Sequence, residues 1–201
     1  MQIYLETERV ILRRFTPDDV DNLVALDSDP DVMRYLSGGI PTPRATIEND
    51  ILPAFLRYYE RGDRYGYWVA IERSTGDFLG WFHFRPESSG SPDEPELGYR
   101  LRKAAWGKGY GTEVSRALIR KGFTDFGVER VFASTYEDNL ASRRVMEKVG
   151  MRLMRRFRMT PEELAAHGAD QVVWEGEDVE YAITRAEWER QEEATLRRPN
   201  Q

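Results

Sequence analysis

A chain of 201 residues, 40% of them apolar and 32% charged, is sized for one soluble globular domain with a substantial core. The absence of cysteine excludes a disulfide framework, a thiolate zinc site and a cysteine nucleophile, and with only two histidines, His83 and His167, a histidine-rich metal centre is not expected. A net charge of −6 argues against a nucleic-acid partner; with no apolar run of membrane-spanning length and no signal pattern at the N-terminus, no membrane association is expected and the cytoplasm is the expected location.

The opening "MQIYLETERVILRRF" alternates apolar and polar residues, and "RVILRRF" reads as a strand. In "TPDD", Thr16 as N-cap, Pro17 at the first helical position and acids in the first turn predict a helix to about Leu36, interrupted near Asp29-Pro30. A second helix is expected over residues 43–61. The segments "YGYWVAIER" and "FLGWFHFRP" have strand length and composition, joined by "STGD" as a hairpin turn. "ESSGSPDEP" is a mobile loop by composition, and "ELGYRL" is the next strand.

A helix follows in "TEVSRALIRKGFTDFG", with Val114, Leu118, Ile119, Gly122 and Phe126 on one face, opposite Arg116 and Arg120. "ERVFASTYE" is a strand. "NLASRRVMEKVG" is a short helix with Ala141, Val145 and Val149 in a stripe and Gly150 as its stop. "MRLMRRFRM" is a strand, residues 160–171 form a polar excursion, and "WEGEDVEYAITRAEWER" supplies the last strand before a frayed tail. This order predicts a mixed α/β sheet covered by helices and not a doubly wound repeat. The unit from "ELGYRL" to "ERVFAST" is one crossover, expected to be parallel and right-handed.

The corner before that helix, "YRLRKAAWGKGYGTE", removes Cβ at Gly107, Gly109 and Gly111. Such a corner can aim successive N–H groups at one point, where the helix dipole also favours negative charge. Arg102, Lys103 and Lys108 add positive charge, and Arg143, Arg144 and Lys148 form a second basic group. Local basic patches on an acidic chain suit a small phosphorylated ligand; a glycine-rich turn that binds nothing has the same spacing. The nucleotide P-loop is absent, and the dinucleotide fingerprint is not met because the third glycine comes one residue early.

"WGKGYGTEVSRALI" resembles the pyrophosphate-binding signature of the GNAT N-acetyltransferases, with Trp106 where the family usually has Gln or Arg, as in the branch of ribosomal-protein alanine N-acetyltransferase-like enzymes. "NLASRRVMEKVGM" resembles that branch's Asn-x-x-Ser signature, "LETERVILRRFTPDD" its opening and "DVEYAITRAEW" its closing strand. The similarity spans about residues 5–190, a single N-acetyltransferase domain, with 191–201 as a polar tail. It implies the GNAT acyl-CoA N-acyltransferase fold: a central, largely antiparallel sheet flanked by helices and splayed between its fourth and fifth strands, here "ELGYRL" and "RVFAST".

The resemblance also implies acetyl-CoA as cofactor and a primary amine as acceptor, a protein N-terminus or a small molecule. Pantetheine would lie in the splay beside main-chain groups of Leu101. The backbone of Trp106, Gly107, Lys108, Gly109, Tyr110, Gly111 and Thr112 would hold the pyrophosphate, with charge from Arg102, Lys103 and Lys108; Arg143 is the candidate for the 3′-phosphate. Asn139 is a pantetheine contact, a helix N-cap, or both. Glu96 is the candidate base, acting through water, with Asp93 and Glu94 as competitors. The N–H near Leu101 is a candidate oxyanion donor. Ser142 matches the proton donor to the departing thiolate, and Tyr136 is the alternative. Without a cysteine, direct attack in a ternary complex is expected over an acetyl-enzyme. His83 and His167 read as structural or exposed, and Trp68, Trp81, Phe82 and Phe84 as core and sheet residues. The competing class is a catalytically inactive acyl-CoA sensor or protein-interaction domain. A homodimer through the last strands is expected by analogy only.

Overall fold

The computed structural model describes residues 2–87, 90–158 and 176–197. The excursion at 160–171 and His167 lie outside them. The alternating N-terminal stretch is two strands rather than one, β1 (Ile3–Glu6) and β2 (Val10–Arg14). Thr7 donates its N–H to the Val10 carbonyl at 2.8 Å and closes the hairpin between them. Then come α1 (Val20–Asp27) and α2 (Pro30–Ser37), split where Asp29 caps the second by accepting from the Asp31 N–H.

The expected helix over 43–61 is interrupted: α3 (Arg44–Thr46), a π turn (Ile47–Ile51), α4 (Leu52–Tyr58) and a 3-10 turn (Tyr59–Arg61). Pro53 has no N–H to give the carbonyl four residues back, and its ring crowds that carbonyl, so the coil widens ahead of it. The meander follows as β3 (Gly66–Glu72), β4 (Phe78–Arg85) and β5 (Glu96–Leu101). After it come α5 (Tyr110–Asp125), β6 (Arg130–Tyr136), α6 (Leu140–Lys148), β7 (Arg152–Phe157), β8 (Asp178–Thr184) and α7 (Arg185–Leu196).

The eight strands form one sheet in the order β1-β2-β3-β4-β5-β6-β8-β7. Every neighbouring pair is antiparallel except β5 and β6, which run parallel and share one register pair, Glu96 with Phe132. Below that bridge the two chains are pinned together: the Asp93 carbonyl accepts from Glu129 and Arg130, and the Pro95 carbonyl from Phe132. This tether runs through the segment read as a mobile loop, because its backbone extends the pairing of β6. Above the bridge the strands part. The splayed fourth and fifth strands expected from the resemblance are thus β5 and β6, renumbered by the extra strand at the start.

Both faces of the sheet are covered, which is why "YGYWVAIE" and "FLGWFHF" read as near-continuous apolar runs. One face packs Leu12, Trp68, Phe82 and Phe84 against Val114, Leu118 and Phe123 of α5. The other packs Val69 and Trp81 against Leu23, Leu26, Ile47, Leu52 and Phe55 of α1 to α4. Met146 of α6 and Val149 at its C-cap are buried, whereas Ala141 and Val145 line a cleft beside the sheet. The C-terminal segment read wholly as strand turns helical at Thr184, which accepts from the Glu187 N–H while its own N–H donates to Glu187. That capping box starts a helix running past residue 190, docked by Trp188 against Phe123 at 5.4 Å between ring centroids. Among the described residues no helix is long and apolar enough to cross a membrane.

The first helical turn is fixed by a buried ion pair. Asp19, 2% exposed, takes two hydrogen bonds from the Arg13 guanidinium at 2.6 and 2.7 Å, one from the Thr16 N–H and one from Asn22. Burial alone would raise this carboxyl; the hydrogen bonds from Arg13, Thr16 and Asn22 and the Arg13 charge outweigh it and hold it below the usual range. A carboxyl held low in the folded state adds stability above its unfolded titration range and loses it as pH falls. Asp19→Ala is therefore expected to cost about 3 kcal/mol in urea unfolding at neutral pH, since it strands the guanidinium. The gap between wild type and variant should narrow as the pH drops through about 4. An equal gap at both pH values would mean that Asp19 acts through packing.

Candidate active site

The splay opens into a cleft of about 1240 Å³ walled by β5 and the glycine corner, β6 and α6, and α2. Beyond the one register pair, β5 and β6 do not bond to each other, so their facing N–H groups are turned into the gap. Arg102 donates its N–H to Leu79 of β4, so the alternate N–H groups of Tyr99 and Leu101 point the other way, into the gap. On the far side, Phe132 donates its N–H toward β5, to Pro95, and Glu137 donates outward to Glu177, so the alternate N–H groups of Ser134 and Tyr136 face the gap. An extended ligand with amide groups can bond to both edges.

The corner closes one end. Gly107 and Gly109 have φ of +72° and +86°, the left-handed region that costs an L side chain strain. Gly109 is the N-cap of α5, a 16-residue helix whose first N–H groups no side chain caps among the described residues. Glu113, in that first turn, is engaged elsewhere: it accepts from Thr7 at 2.7 Å and from the Arg9 side chain at 2.7 Å and N–H at 2.9 Å. Arg9 also donates to the Lys108 carbonyl at 3.0 Å, so the β1–β2 hairpin clamps the corner from outside. The Trp106 indole donates to the Leu101 carbonyl at 2.8 Å and ties the corner to the end of β5.

Of the expected ligand contacts, Leu101, Trp106, Gly107, Gly109, Tyr110, Gly111, Thr112, Asn139 and Ser142 line the cleft. Arg102, Lys103, Lys108 and Arg143 do not: Arg102 bonds the Phe78 carbonyl, Lys103 pairs with Asp31 of α2, and Arg143 is held by the Tyr181 hydroxyl and the Glu137 carbonyl. The basic side chains of α6 that do line it are Arg144 and Lys148. A 3.6-residue period places positions 144 and 148 together, one step round from 143, a distinction that composition could not make.

Glu96, Tyr136 and Ser142 all border the same cleft. Asn139 accepts from the Ser142 N–H at 3.2 Å, so it is the cap of α6, and it also donates to Thr135. Tyr99 donates its hydroxyl to Ser142 Oγ at 3.3 Å. Burial pushes the Tyr99 phenol up to about 12, so it remains a donor throughout the neutral range, and the Ser142 proton is left to point elsewhere. Burial, and then the Asp178 charge, raise Tyr136 as well. Glu96 has His83 Nε2 at 3.4 Å and an Arg85 nitrogen at 3.6 Å. Its rivals are placed differently, Asp93 beside Arg64 and Glu94 beside Arg130. His83, read from sequence as structural or exposed, also lines this cleft. The available signal was the alternation of Trp81, His83 and Arg85 against Phe82 and Phe84.

Residues 9–152 match the family model described as the acetyltransferase (GNAT) domain. An uncharacterised protein from Bacillus subtilis (strain 168), YkkB, is 32% identical over 167 residues, 81% of this chain and 93% of the relative. The FsC-acetyl coenzyme A-N(2)-transacetylase of Aspergillus fumigatus is 29% identical over 201 residues, 96% of this chain and 81% of the relative. Among solved structures, a GNAT-family acetyltransferase from Bacillus anthracis superposes with a TM-score of 0.71 at 25% identity, covering 92% of this chain and 99% of that one.

Proposed function

Because this chain belongs to the GNAT acetyltransferase family, an acetyl-CoA-dependent class, we propose that it acetylates a primary amine, a protein N-terminus or a small molecule, by direct attack in a ternary complex. The observation that carries this reading is the single β5–β6 bridge with an uncapped helix N-terminus at the end of the gap. The residues present fit acetyl-CoA: two left-handed glycines without Cβ, free first-turn N–H groups for a pyrophosphate, and two main-chain edges for pantetheine amides. When bound, it supplies the thioester whose carbonyl carbon the amine attacks.

The protein's part is binding and proton handling. The N–H groups from Gly107 to Thr112 hold the pyrophosphate, and Arg144 and Lys148 offer the nearest positive charge on the α6 wall. Glu96 takes a proton from the acceptor, since an ammonium has no lone pair for attack. The Leu101 N–H is the donor for negative charge developing on the carbonyl oxygen. Ser142, whose Oγ accepts from Tyr99 and so has its own proton left to donate, gives that proton to the leaving sulfur, with Tyr136 as the alternative donor. The Asn-x-x-Ser cap and Trp106 support placement in the ribosomal-protein alanine N-acetyltransferase-like branch.

Calorimetry with acetyl-CoA, with ATP and NADH as controls, should give selective one-to-one binding. Thiol release should then follow with at least one member of a panel of peptides with free N-termini, amino sugars and free lysine. Binding without turnover on any amine would favour the sensor reading. No binding would remove both.

A further inference from the structure

Strand β4 sends Trp81 to the α1–α4 face and Phe82 and Phe84 to the other, so alternation places His83 and Arg85 with Trp81. His83 stands opposite Gly98 in the β4–β5 ladder. A Cβ on Gly98 would lie 2.5 Å from the imidazole, so the ring occupies the space of the missing side chain. Tyr67 of β3 meets the ring edge-on at 5.6 Å. Held this way, the side chain is 12% exposed, with Nε2 3.4 Å from Glu96 Oε2. Nε2 is buried and has no hydrogen-bond partner among the described residues. A buried ring nitrogen 3.4 Å from a carboxylate oxygen, with no hydrogen bond of its own among the described residues, is a place to put a proton.

We propose that Glu96 and His83 act as one proton-accepting pair, in which Glu96 receives the acceptor's ammonium proton and His83 holds it. For Nε2 to accept, the ring must carry its one proton on Nδ1. The ammonium N–H bond breaks and leaves its electron pair on nitrogen, while an O–H bond forms on Glu96. The proton then moves to His83 Nε2, leaving an imidazolium beside a carboxylate, and returns to water after product leaves. The amine's second proton passes to Ser142, replacing the one that Ser142 gives to the leaving sulfur.

The chemical reason is basicity: a free glutamate titrates near ~4.3 and a free imidazole near ~6.5, closer to what an ammonium requires. The groups facing the pair are Arg85 on its own strand, Tyr67 on β3 and Arg100 on β5; Arg34 and Tyr35 of α2 and Glu94 line the same cleft. His83 is then a positioning residue and proton store behind Glu96.

This inference rests on the acetyl-transfer reading, but the first arm of its test, the NMR titration, does not. With two histidines in the chain, comparing wild type with His83→Gln assigns the imidazole NMR signals. Followed from about pH 5 to 9 in the unliganded protein, the His83 midpoint should fall by at least about half a unit in Glu96→Gln, because the carboxylate that favours the charged ring is gone. In turnover, His83→Gln should lower kcat about tenfold or more and move the acidic limb of kcat/KM to lower pH, with acetyl-CoA affinity within about twofold of wild type. A His83 midpoint indifferent to Glu96→Gln overturns the pair, as does an unmoved pH profile in a folded His83→Gln protein. Loss of acetyl-CoA binding by wild type would instead sink the underlying reading.

Discussion

Glu96→Gln is expected to lower kcat by about 10²–10⁴-fold, the usual contribution of a positioned acid–base group, while acetyl-CoA affinity stays within about twofold. The amide keeps the size of the side chain and its place at the one bridge between β5 and β6, but cannot accept a proton near neutral pH. Its lost attraction to Arg85 and His83, at 3.6 and 3.4 Å, costs little in stability because these distances exceed a good ion-pair hydrogen bond. Glu94→Gln is the matched control. Glu94 is 3.1 Å from Arg130 and 45% exposed, and its loss should change kcat by less than about threefold. Steady-state rates and calorimetry on both variants separate the outcomes. If the two glutamates prove equivalent in kcat, or if Glu96→Gln loses affinity as steeply as rate, the carboxylate serves structure and the assignment fails.

The three carboxylates at the foot of β5 show how far sequence carries the argument. Spacing brought Asp93, Glu94 and Glu96 into one short stretch, and strand periodicity separates Glu96, whose side chain follows the pleat toward Gly98 and Arg100 on the same face. Their partners could not be read, because Arg64, Arg130 and His83 come from three other elements. The same holds for the corner. Its glycines are a local signal and were legible, yet the Arg9 clamp joins residues 104 apart in the chain. Basic residues were legible as a composition and not as directions: Lys103 turns to Asp31 and Arg143 to Tyr181, while Arg144 and Lys148 face the cleft. The splay itself followed from resemblance. Its physical cause, a ladder cut to one pair after the Asp93 and Pro95 carbonyls, is a matter of register that side-chain pattern does not encode. A near-continuous apolar run did place β4 in the sheet, but a histidine in such a run looks the same in sequence whether it borders a cleft or merely fills space.

Replacing Gly107 and Gly109 together by alanine is expected to weaken acetyl-CoA binding by about 30-fold to 1000-fold. Each alanine held in the left-handed region costs roughly 1–2 kcal/mol, so the free corner relaxes and the ligand must restore two such residues at about 2–4 kcal/mol. Gly109 has a further constraint, since its Cβ would approach the Arg9 guanidinium at 3.4 Å and press on the clamp that holds the Lys108 carbonyl. The required comparison is Gly76→Ala. Gly76 has φ of +78° in the β3–β4 turn with open space where a Cβ would go, so it carries the same backbone strain without any ligand nearby. That variant should lose about 1 kcal/mol of stability and bind acetyl-CoA as wild type does. Calorimetry on the folded variants reads the difference directly. If the double variant binds within about threefold of wild type, the αL corner is a turn and not a cradle, and the pyrophosphate must be held by the α6 wall at Arg144 and Lys148.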